Sequence, residues 1–124
     1  MVETYQQLID VADSMGWTVY DSSYADRDQI ELEFGQYSPA GEDFNFYVCE
    51  FSVRGVVENI VEYAREFDVD EHVRSVMDMR GAPGISVLVD DAREIADMIQ
   101  ELADALINYD ASDEDSKGVL TAWK

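Results

Sequence analysis

The side chains of this sequence that could do chemistry are almost all carboxylates. There are 28 Asp and Glu residues, but one histidine, His72, and one cysteine, Cys49. Acid–base and nucleophilic catalysis need a base or an activated nucleophile, and no Lys or Arg stands near Cys49 in the sequence to stabilise a thiolate. The P-loop, dinucleotide-binding GxGxxG and hydrolase GxSxG signatures do not occur. We therefore predict a protein that is not an enzyme, with no catalytic residue, no cofactor and no dedicated metal site.

Five carboxylates recur at helical spacing between residues 86 and 108. At about 100° per residue they share the face opposite an apolar stripe that includes Leu88, Ile95 and Ile99. Along the axis they span about 21 Å, at a mean spacing of about 5 Å. DNA presents one charge about every 3.4 Å along each strand, so the pattern is compatible with an imitation of a phosphate track. The residues of this row are Asp90, Glu94, Asp97, Glu101 and Asp104.

A second acidic row is predicted on an earlier helix, over residues 55–67, at Glu58, Glu62 and Glu66. The whole chain carries eight Lys and Arg against those 28 acids, for a formal charge of −20 and a pI near 4.1. Such a field repels nucleic acid and anionic membrane and attracts basic surfaces. We expect a basic protein surface as the partner, with no direct nucleic-acid or membrane binding.

Two other interpretations stay open. In the first, the loop of Glu42 and Asp43 meets the helix start of Asp70, Glu71 and His72, and the five form a small-ligand or metal site. In the second, the acidity is salt adaptation without a specific partner, as few lysines and many aspartates would suggest. The acidic segment 110–118 lacks the mid-loop Gly and the final Glu of a calcium-binding EF-hand loop.

The hydrophobic pattern predicts the elements that must position these groups. A helix is expected over residues 2–15, strands over 17–20, 30–35 and 44–53, and helices over 55–67, 68–79 and 86–108. Pro and Gly between the second and third strands indicate a hairpin. In the third strand apolar residues occupy both odd- and even-numbered positions. This pattern is typical of a strand buried on both faces and favours the central position in the sheet.

The order α-β-β-β-α-α-α predicts an α+β fold, a three-stranded antiparallel sheet packed against about four helices. We expect one domain over residues 1–109 and an acidic, partly mobile tail over 110–124, and docking of this tail through Trp123 stays open. One cysteine allows no internal disulfide, and no leader or spanning segment is apparent, so we predict a cytoplasmic protein.

Three short segments carry a resemblance: SPAGEDF at 38–44, FDVDEHV at 67–73 and DAREI at 91–95. In them the chain resembles small acidic proteins encoded by phages and mobile elements of gut bacteria, over most of residues 17–106. The same genetic neighbourhoods are rich in anti-restriction and anti-CRISPR inhibitors, several of which look like DNA to their targets. The resemblance therefore implies an inhibitor of a nucleic-acid-binding host defence protein, such as a CRISPR effector nuclease, and transfers no site residue.

Overall fold

The computed structural model describes residues 1–23, 28–77 and 84–110. Four helices and three strands follow one another in the expected order, which confirms the α+β class. They are α1 (Tyr5–Ser14), β1 (Thr18–Asp21), β2 (Ile30–Tyr37), β3 (Asp43–Glu50), α2 (Val53–Glu66), α3 (Val69–Met77) and α4 (Ile85–Ile107).

The sheet is antiparallel in the order β1-β2-β3, so β2 is its central strand. The expected central position of the third strand was wrong. Buried and exposed residues alternate strictly along β3, with Phe44 and Phe46 buried and Tyr47 and Cys49 exposed. The pattern was misleading because aromatic and sulfur-containing residues on an open sheet face count as apolar although they lie in solvent.

The first helix begins later than expected, at Tyr5 rather than at residue 2. Thr4 forms a capping box in which its side chain accepts the Gln7 N–H and the Gln7 side chain accepts the Thr4 N–H. Ahead of this cap, Val2 is buried and donates its backbone N–H to the Leu106 carbonyl at 2.9 Å. The N-terminal residues therefore lie along the end of α4, which no helical pattern could indicate.

The other helix boundaries are close to those expected. Ser52 accepts the Gly55 N–H at 3.0 Å, so α2 starts two residues earlier than predicted. In the sequence, Asp68 followed three residues later by Glu71 predicts a capping box at the start of α3. Asp68 Oδ1 accepts the Glu71 N–H at 3.1 Å, which is the first of the two hydrogen bonds of that motif. The predicted end of α3 at residue 79 and the predicted tail with Trp123 lie outside the described residues, except for Asp110.

The core lies between the inner face of the sheet and the helices. Trp17, expected to open the first strand, precedes it and is buried edge-on against Phe44 and Phe46, with ring centroids 6.3 and 5.5 Å apart. From α4, Ile95 and Ile99 enter the same core. A smaller cluster joins α3 to the first half of α4. None of the described helices is both long and apolar enough to cross a lipid bilayer.

Candidate functional site

The five carboxylates predicted on α4 are all exposed on its outer side, because the opposite side is buried against the other elements. Asp104 lies in the last turn, where the partial negative charge of the helix end disfavours a carboxylate, and no basic residue accompanies it there. Arg93 is the one cation of α4 and forms no ion pair with another described residue. The row therefore presents its charge to solvent.

The row on α2 is also exposed, but it is partly neutralised. Arg54 pairs with Glu58 at 3.0 Å, one turn apart, and Arg65 stands in the last turn of the helix. Glu62 and Glu66 are exposed as well. Since α2 packs beside α4, the two rows belong to neighbouring helices, and the α4 row is the more uniformly anionic of the two.

The three segments that carry the resemblance meet at one corner of the fold. Asp91 of α4 is 7% exposed and accepts the Ser38 hydroxyl at 2.5 Å and the Ala40 N–H at 2.9 Å. Ser38 Oγ also accepts the Glu42 N–H at 2.9 Å, and this hydrogen bond joins the two ends of the hairpin turn. The turn between β2 and β3 is thereby fixed to the first half of α4. We call this arrangement the Ser38–Asp91 clasp.

A second contact joins the same turn to α3. His72 Nε2 lies 2.9 Å from Oε2 and 3.1 Å from Oε1 of Glu42, and both side chains are largely buried. The imidazole ring also packs near Phe44 and Phe67, with ring centroids 5.7 and 5.4 Å away. Glu42 and His72 thus satisfy each other inside a packed aromatic corner.

The five residues of the ligand- or metal-site hypothesis are only partly brought together. Glu42 and His72 touch, whereas Asp43 is the first residue of β3 and is exposed on the sheet face opposite to that of Phe44. Asp70 and Glu71 are exposed in the first turn of α3. Among the described residues no three His, Cys, Asp or Glu side chains are placed to hold a metal ion.

The contact between Ser38 and Asp91 was not predicted from the sequence. Asp91 stands three positions after Leu88 and four before Ile95, at the edge of the apolar stripe of α4. A carboxylate at the border of a buried stripe signals a buried polar contact. Its partner on the hairpin, 53 residues away in sequence, could not be found from that signal.

Comparison with protein families, with curated proteins and with solved structures gives no match for this chain.

Proposed function

We propose that this protein is a non-enzymatic acidic inhibitor that occupies the basic nucleic-acid channel of a host defence protein, of the anti-CRISPR or anti-restriction type. The observation that carries the proposal is the α4 row, whose five carboxylates extend about 21 Å in solvent along one helix. A partner that binds a nucleic-acid backbone with Lys and Arg would meet a similar line of negative charge.

The energetics of α4 support a role for the row in binding. Like charges four residues apart, as at Asp90 and Glu94 or at Asp97 and Glu101, each destabilise a helix by about 0.2–0.5 kcal/mol. Asp104 adds an unfavourable interaction with the helix end. The like-charge pairs of the row therefore do not serve the stability of the fold, whereas a basic partner would relieve their repulsion. Cytoplasmic action belongs to the same proposal, since defence nucleases act there.

The test is a transformation assay in bacteria that carry a CRISPR or restriction system directed against a plasmid. Expression of the wild-type protein is expected to restore transformation. The variant Glu94→Lys, Asp97→Lys and Glu101→Lys, here called the α4-Lys variant, raises the formal charge from −20 by six and is expected to abolish the effect.

A matched control separates the row from the overall charge. Glu3, Asp10 and Asp13 are exposed, lie on or just before α1, and give the same change in charge when replaced by Lys. This control variant is expected to retain most of the inhibition. Equal activity of the α4-Lys variant and the wild type, or equal loss in both variants, would refute the proposed role of the row. With a purified target, weak dependence of affinity on salt would also contradict it.

A further inference from the structure

The sheet face that points away from the helices carries exposed aromatic rings. Tyr20, Tyr37 and Tyr47 are 67%, 70% and 70% exposed. The solvent face of an antiparallel sheet is usually polar, and large apolar side chains gathered on an open face mark an interaction surface. This face is distinct from the α4 row and takes no part in the function proposed above.

The rings lie next to carboxylates across the strands. In the register of the sheet, Glu33 of β2 stands between Tyr20 of β1 and Tyr47 of β3. The Tyr47 hydroxyl donates to Glu33 Oε2 at 3.2 Å. The negative charge of Glu33, more than any other influence, raises the pKa of Tyr47 above its ordinary value. Two aromatic rings therefore flank one carboxylate that forms no ion pair with another described residue.

A glycine leaves a depression beside this row. A Cβ on Gly35 would lie 2.5 Å from Asn45 Oδ1, so a side chain there would require Asn45 to move. The resulting cleft has a volume of about 290 Å³, and two carboxylates and no Lys or Arg line it. Its lining includes Tyr20, Glu33, Gly35, Tyr37, Asp43 and Asn45.

We propose that this open sheet face, here called the tyrosine face, is a docking surface for an arginine side chain presented by a basic segment of a partner protein. A guanidinium is planar, stacks on tyrosine rings and donates hydrogen bonds in a fork that matches a carboxylate. Glu33 and Asp43 supply the carboxylates, Tyr20 and Tyr37 the rings, and Asn45 Oδ1 a further acceptor at the floor. The ammonium group of lysine is compact and strongly hydrated, so we expect it to bind at such a site more weakly than a guanidinium.

The test compares two peptides of equal charge, one of alternating Gly and Arg and one of alternating Gly and Lys. Each is titrated into the full-length ¹⁵N-labelled protein near physiological salt, and amide shifts and affinities are measured by NMR. The arginine peptide is expected to shift the amides of Tyr20, Gly35 and Asn45. It is also expected to bind about three- to tenfold more tightly than the lysine peptide, as stacking on exposed rings allows.

Variants then assign the preference to the tyrosine face. Tyr20→Ala with Tyr37→Ala should lose the preference for arginine, while Tyr20→Phe with Tyr37→Phe should keep it, because a ring suffices for stacking. Both pairs change exposed side chains, so the protein remains folded, and its amide spectrum reports this directly. The α4-Lys variant should bind both peptides more weakly but keep the preference, which separates this surface from the inhibitory row.

Any one of four results would overturn the inference. Three of them are equal affinity for the two peptides, amide shifts confined to α4, and an unchanged preference in the Tyr20→Ala, Tyr37→Ala variant. Absence of any shift with the arginine peptide at millimolar concentration would overturn it as well. Failure of the transformation assay alone would leave the tyrosine face unaffected.

Discussion

Replacement of Asp91 by Ala is expected to destabilise the fold by about 2–4 kcal/mol. Asp91 accepts two hydrogen bonds, from the Ser38 hydroxyl and the Ala40 N–H, and it is 7% exposed. Hydrogen bonds to charged groups contribute about 1.5–3 kcal/mol each, so losing both would cost at most about 3–6 kcal/mol. The true cost is smaller because Ala40 is exposed and water can reach its N–H after the turn relaxes.

Urea and thermal unfolding measure this loss. For a domain of this size a loss of 2–4 kcal/mol lowers Tm by roughly 8–16 °C. Asp90→Ala is the matched control, because it makes the same substitution one position earlier in α4 at an exposed residue. That control also corrects for the higher helix propensity of Ala, which stabilises a helix by up to about 0.7 kcal/mol relative to Asp.

A double-mutant cycle with Ser38→Ala then isolates the clasp. The two substitutions remove partners of the same hydrogen bond, so we expect a coupling free energy of about 1–2 kcal/mol between them. If Asp91→Ala were as stable as Asp90→Ala within about 0.5 kcal/mol, or if the two losses simply added, the clasp would not hold the hairpin on α4.

Three further predictions concern the packing of the core, stability at alkaline pH and the contact between Glu42 and His72. Ile99→Ala should lower the free energy of unfolding by about 2–5 kcal/mol in urea titrations, since Ile99 is fully buried and its truncation leaves a cavity; a loss below about 1 kcal/mol would contradict the packing. Burial, together with the hydrogen bond of its hydroxyl to Asp21 at 2.7 Å, raises the pKa of Tyr5 to about 12. Because this pKa exceeds the unfolded value of about 10, the free energy of unfolding is expected to fall between roughly pH 10 and 12, and to fall less in the Tyr5→Phe variant. Urea titrations across that pH range measure the decrease, and an equal decrease in the wild type and the variant would refute the prediction. His72→Ala should lower the free energy of unfolding by about 1–3 kcal/mol, and Glu42→Gln should lower it less, because only His72→Ala removes the ring that packs near Phe44 and Phe67. The reverse order of the two variants in thermal unfolding would contradict this prediction.

The acidic row of α4 could be placed from the sequence because it depends on one helix alone. A period of 3.6 residues assigns Leu88, Ile95 and Ile99 to one side and the carboxylates to the other, whatever the helix packs against. The element order followed from the same kind of local periodicity, and capping residues such as Asp68 marked where helices begin. What the row binds is not a property of the helix, and it stays a prediction.

Strand order was not accessible in the same way. The position of β3 at the edge of the sheet depends on which strands pair, and pairing is a relation between distant segments. Its outward Tyr47 and Cys49 resemble buried residues in type, so composition pointed to the wrong place. For the same reason the tyrosine face could not be recognised, since it requires residues from three strands in register.

The sequence by itself thus determined the charge of the protein, the faces of its helices and the order of its elements, all of which follow from residue type and short-range spacing. Only the tertiary structure decided that Asp91 is buried against Ser38, that Glu42 meets His72, and that the hairpin turn is held between α3 and α4. The physical reason is that a carboxylate leaves water only where its donors have been assembled, and those donors come from other parts of the chain.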